Sequence, residues 1–69
     1  MEEFGERLKS EREQLGMSQA KIGKACGVTK LTQLRYERSK GSPSVGYWKT
    51  LHELGVDILY VITGEKLKS

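Results

Sequence analysis

A chain of 69 residues suffices for one domain, and at this size folding buries only about 60% of the surface the unfolded chain exposes, so a helical fold or a covalent staple is expected. The single cysteine, Cys26, excludes an internal disulfide, and with one histidine, His52, the chain offers no ligand set for a structural metal. A net charge of +3 does not by itself indicate a nucleic-acid partner, and no run is apolar enough for a signal peptide or a membrane span, so a soluble, cytoplasmic protein is expected.

In chain order, the spacing of Phe4, Leu8 and Leu15 predicts a first helix from about residue 2 to Gln14, ending near Gly16. Ser18 is a good N-cap for a second helix whose narrow apolar face is Ile22, Ala25 and Cys26. Gly27 stops it, because glycine accepts the left-handed conformation of a helix end. Thr29 caps a third helix that runs to about Glu37. Residues 38–44, RSKGSPS, are turn chemistry. A fourth helix follows, with Val45, Trp48, Leu51 and Gly55 on one face and Leu54 beside them.

The last element, DILYVITG from Asp57 to Gly64, admits two readings. Its apolar run, rich in Ile, Val and Tyr, suits a strand, while the Asp57 cap and the Gly64 stop suit a short buried helix. No hairpin signal precedes it to supply a partner strand, which favours the helix. The expected fold class is therefore all-α, one domain over residues 1–69. The alternative is a mixed α+β variant in which residues 57–63 form a strand.

Charge is unevenly placed. Between Ser18 and Lys40 lie six bases (Lys21, Lys24, Lys30, Arg35, Arg38, Lys40) and one acid, Glu37, while the rest of the chain carries six bases and eight acids. Such a concentration can be an ordinary solvated face, but it is also the footprint of a phosphate-binding surface. The same segment has the spacing of a helix-turn-helix, with its core at residues 18–38. Ile22, Cys26 and Val28 face inward, Gly23 sits where the two helices cross, and Gly27 makes the turn. A glycine inside a helix costs roughly 1 kcal/mol against alanine, so Gly23 asks for a packing reason.

The joint pattern resembles the lambda-repressor-like helix-turn-helix family, and within it the small prophage repressor and Cro-type regulators. The segments RLKSEREQLGMSQ, GVT, YER, SP and LGVDILYVITG stand in the family's usual order and cover nearly the whole chain. The resemblance implies five helices, a double-stranded DNA operator of palindromic form as partner, homodimeric binding to it, and transcriptional control in the nucleoid. It implies base contacts by Thr29, Lys30, Leu31, Thr32 and Arg35, and phosphate contacts by Ser18, Gln19, Arg38, Lys40, Gly41 and Ser42. The chemistry agrees: arginine and lysine reach the guanine edge, and an aliphatic side chain packs on a thymine methyl. The family also pairs residues matching Arg12 and Glu37 in a structural salt bridge.

The resemblance places a dimer interface on the C-terminal element, at Ile58, Tyr60 and Ile62, whose apolar run exceeds what so small a core can bury. The expected dimer is weak, formed or strengthened on DNA. Gln33 departs from the family pattern, since it stands where an aliphatic residue usually faces the core. Either it is buried with its amide bonded, or the helix is turned so that Leu34 takes the core position. Burying an unpaired amide costs about 1–3 kcal/mol, which favours the turned helix or a partly exposed Gln33.

Other readings carry less. Tyr47, Trp48 and Tyr60 are expected in the core or an interface, and His52 partly exposed on the fourth helix. GVTK lacks the further spacings of a phosphate loop, and no nucleophile–base pair can be drawn, so no enzyme, cofactor or small-molecule ligand is expected. A helix-turn-helix reused to bind protein would have no need of the concentrated positive charge.

Overall fold

A computed structural model of the chain describes residues 4–65. Five helices follow one another: α1 (Phe4–Gln14), α2 (Gln19–Ala25), α3 (Lys30–Glu37), α4 (Val45–Glu53) and α5 (Ile58–Thr63). Among the described residues there is no strand, so the last element takes the helical alternative.

Four of the helices start on side-chain caps. Ser18, Thr29, Ser44 and Asp57 each accept a hydrogen bond from the backbone N–H three residues on, at 3.0–3.1 Å. Such caps stabilise a helix by about 1 kcal/mol each, which matters for elements of six to nine residues that would not form alone. Asp57 and Gly64, the latter at φ 80°, decide the contest for the last segment, because both terminate a helix and neither helps a strand.

The apolar interior consists of Phe4, Leu8, Ile22, Tyr47, Leu51, Val56 and Val61. Phe4, Trp48, Tyr47 and Tyr36 form a chain of edge-on aromatic contacts, with centroids 4.9–6.1 Å apart, which puts Tyr47 in the core and Trp48 at its margin. Helix α1 packs against α3 on one side and α5 on the other. Toward α3 the approach is so close that a Cβ on Gly5 would collide with the Glu37 backbone carbonyl. There the Gly5 N–H donates to Ser39 Oγ at 2.9 Å. Ser39 sits at φ 61°, the single left-handed non-glycine among the described residues, and this bond helps hold it there.

Several expectations about the core are corrected. Leu15 is 37% exposed, because α1 ends at Gln14 and Gly16 turns the chain at φ 72°, so the helical stripe no longer applies. Val45 is 84% exposed, and α4 buries Tyr47 and Leu51 instead, an i, i+4 pair. Gly55 lies past the end of that helix, and Ala25 is exposed beside the half-buried Cys26. Gln33 is fully buried, while Leu34 is only half-buried, so α3 is not turned to give Leu34 the core position.

Candidate nucleic-acid interface

Helices α2 and α3 meet through a turn that the sequence specifies closely. Gly27 is left-handed at φ 78°, and the Val28 N–H returns to the Gly23 carbonyl at 2.8 Å. A Cβ on Gly23 would lie 3.1 Å from the Val28 carbonyl oxygen and 3.2 Å from that of Thr29. That is the packing reason for a glycine inside α2: the start of α3 crosses over it.

The crossing turns one face of α3 outward. Lys30, Leu31 and Arg35 are exposed, with Leu31 at 65%. Thr32 beside them is half-buried, and its hydroxyl oxygen accepts from the Thr29 hydroxyl at 3.1 Å. Ser18 opens α2 at the surface, with its hydroxyl engaged as a cap. Gln19, the first residue of α2, is half-buried. Arg38, Lys40, Gly41 and Ser42 are exposed in the turn after α3, where the Lys40 N–H bonds the Arg35 carbonyl at 2.9 Å and Gly41 adopts φ 76°. All six bases of the segment are exposed, and among the described residues none shares an ion pair.

The opposite face of α3 is polar as well, but closed. The Glu37 carboxylate accepts from Arg12 Nε at 2.6 Å and Nη2 at 3.2 Å, from Gln33 Nε2 at 2.9 Å and from Gln19 Nε2 at 3.1 Å. Gln33 in turn accepts from the Tyr47 hydroxyl at 2.6 Å, and Arg12 Nη1 donates to the Met17 carbonyl at 2.9 Å. Among the described residues no buried side-chain nitrogen or oxygen lacks a partner. The one acid of the basic segment is thus withdrawn from the surface and paired with Arg12, so it does not oppose an approaching phosphate.

Burial pushes the Glu37 carboxyl up, but the hydrogen bonds from Arg12, Gln33 and Gln19 and the Arg12 charge together outweigh it, leaving it below the ordinary carboxylate range. Burial raises Tyr47 and holds its hydroxyl protonated as a donor. Cys26 is likewise raised by burial, which opposes a thiolate and suits a packing role. Among the described residues no group of three or more His, Cys, Asp and Glu side chains is placed to hold a metal ion.

Sequence reasoning missed what Gln33 and Tyr47 do here. The signal for Tyr47 was its i, i+4 spacing from Leu51; the partner that makes Gln33 tolerable lies 14 residues away and leaves no local mark. On α5, Ile58, Tyr60 and Ile62 are half-buried and Val61 faces the core, whereas Leu59, at 41%, is the apolar side chain turned outward.

Five short helices with a glycine-turned second and third, and a basic outer edge on the third, define a helix-turn-helix protein of the lambda-repressor-like type. The chain belongs to the helix-turn-helix domain family, whose model matches residues 3–54. Among solved structures it is similar to the P22 c2 repressor protein in complex with a synthetic operator: 29% identity, a TM-score of 0.81, and coverage of 94% of this chain and 100% of that one. No curated protein sequence matches the chain significantly. The family and the fold are those of DNA-binding regulators.

Proposed function

We propose that this protein is a sequence-specific transcriptional regulator of the Cro or prophage-repressor kind that inserts α3 into the major groove of a palindromic operator. The observation that carries the reading is the outer edge of α3, where Lys30, Leu31 and Arg35 stand exposed amid bases free of ion pairs. Arg35 and Lys30 take guanine edges, Leu31 packs on a thymine methyl, and Thr29 and Thr32 complete the base-reading set. Ser18, Gln19, Arg38, Lys40 and the Gly41–Ser42 backbone fix the register on phosphates.

The solved operator complex of the P22 c2 repressor, similar over nearly the whole chain, supports DNA as the partner. A weak homodimer, strengthened on DNA, places two copies of α3 about one helical turn apart. It is formed through α5, with Leu59 at its centre and Ile58, Tyr60 and Ile62 around it. The protein works in the cytoplasm on the nucleoid, without cofactor, small-molecule ligand or catalysis. No helix among the described residues is long and apolar enough to cross a membrane.

Selection from random DNA, followed by titration at several salt concentrations, tests the reading. One palindromic site should emerge, and affinity should fall with salt at a log–log slope of about −3.6 per protomer if Lys21, Lys24, Arg38 and Lys40 each engage a phosphate. A slope near zero removes the proposal. On the selected site, Arg35→Ala should lose roughly 1–3 kcal/mol and blur one base position, whereas Lys40→Ala should weaken all sequences alike.

A further inference from the structure

We infer that Glu37 is a positioning residue for DNA binding, acting through the side-chain amide of Gln19. The inference rests on the phosphate contact proposed for Gln19. A primary amide carries two N–H bonds in one plane, so fixing one aims the other. Glu37 Oε1 takes one N–H of Gln19 Nε2 at 3.1 Å. The second N–H has no partner among the described residues, and Gln19 is half-buried at the first position of α2.

Glu37 is itself immobilised by two further side chains, one of them held in turn by a third. Arg12 holds both carboxylate oxygens, Gln33 holds Oε2, and the Tyr47 hydroxyl on α4 holds Gln33. Arg12 also fixes the Met17 carbonyl, two residues before Gln19, so one guanidinium anchors the chain leading into α2 and the carboxylate that orients its first side chain. The buried network therefore ends at the surface in one directed donor, and because Arg12 balances Glu37, no net negative charge comes with it.

A neutral amide bonding a phosphate releases few counterions, so its loss lowers affinity without changing the salt slope, unlike the loss of a lysine. Gln19→Ala should weaken binding to every sequence roughly tenfold per half-site, with an unchanged slope. Glu37→Gln, measured where circular dichroism shows the fold intact, should weaken binding in the same sequence-independent way. In the Gln19→Ala background it should cost nothing more. Full additivity of the two losses, or unchanged affinity in Glu37→Gln, would overturn the inference.

Should Glu37→Gln not fold, the wild-type protein decides. Its Gln19 side-chain amide protons should exchange with water more slowly than those of the exposed Gln14, and equal rates refute the positioning role. If Gln19→Ala binds normally while Arg35→Ala does not, the phosphate contact and this inference fall but the DNA reading stands. A wild-type protein that binds no DNA sinks all three.

Discussion

The interior has two parts that stabilise the molecule by opposite means. One is apolar: Phe4, Leu8, Ile22, Leu51, Val56 and Val61 are packed together, each contributing in proportion to the area it removes from water and with little regard to direction. The other, between α1, α3 and α4, is a closed polar set of Arg12, Glu37, Gln33 and the Tyr47 hydroxyl. Apolar burial alone does not discriminate well between neighbouring helix registers, since a turn of α3 by one position would offer the core Leu34 in place of Gln33. The polar set discriminates sharply. In any other register Glu37, Arg12 and Tyr47 would be left without partners, and the register it selects is the one that turns Lys30, Leu31 and Arg35 outward. In this fold specificity of structure is polar and bulk stability is apolar.

The contrast can be broken most severely at Arg12. Arg12→Met should cost about 3–5 kcal/mol in denaturant unfolding, because it strands the buried Glu37 carboxylate, while the double variant Arg12→Met, Glu37→Met should lose less than the sum of the singles. The same pair gives a pH signature. A carboxyl held below its unfolded value contributes stability that is present above about pH 4.3 and is lost as pH falls through the lower folded value. Wild-type stability should decline in that acid range, and Glu37→Gln should show a shallower decline.

On the apolar side, Leu51→Ala should cost about 2–5 kcal/mol by leaving a cavity, with no dependence on pH between 4 and 7 beyond that of the wild type, a range of roughly the carboxylate and imidazole titrations. Gln33→Leu sharpens the comparison. It supplies the aliphatic residue usual in the family yet should destabilise by about 1–3 kcal/mol, because the Tyr47 hydroxyl loses its acceptor and Glu37 a donor. A stabilised Gln33→Leu protein would show that the polar set is dispensable. Val45→Ser should change stability by less than about 0.5 kcal/mol, since that side chain lies in water.

Much of this was legible from local chemistry. Ser18, Thr29 and Asp57 cap where capping residues should, Gly27 and Gly64 end helices in the left-handed conformation, and Gly23 sits beneath a crossing chain. Failures came where a local pattern was extended past its element or where the deciding partner was remote. Leu15 kept the stripe of α1 but not its helix, and Val45 gave way to Tyr47 because a face is set by what packs on it. Gln33 became legible only when α4 brought the Tyr47 hydroxyl to it. For the candidate interface, residue types and charge placement were readable, but the contact between Gln19 and Glu37 joins residues 18 apart and needed the fold.

Helix α1 grips α5 at both ends: Arg7 Nε donates to the Val61 carbonyl at 3.0 Å, and Glu11 Oε1 accepts from the Asp57 N–H at 3.1 Å. These bonds span 54 and 46 residues of sequence. A six-residue helix cannot persist in water by itself, so α5 acquires its structure only when α1 is already there to receive it. On a ribosome, α1 emerges before α5 and must wait for the chain between them before it meets that partner. The slow step of folding should therefore be a late loop closure, faster in a circular permutant that joins α5 directly to α1 and opens the 38–44 turn instead.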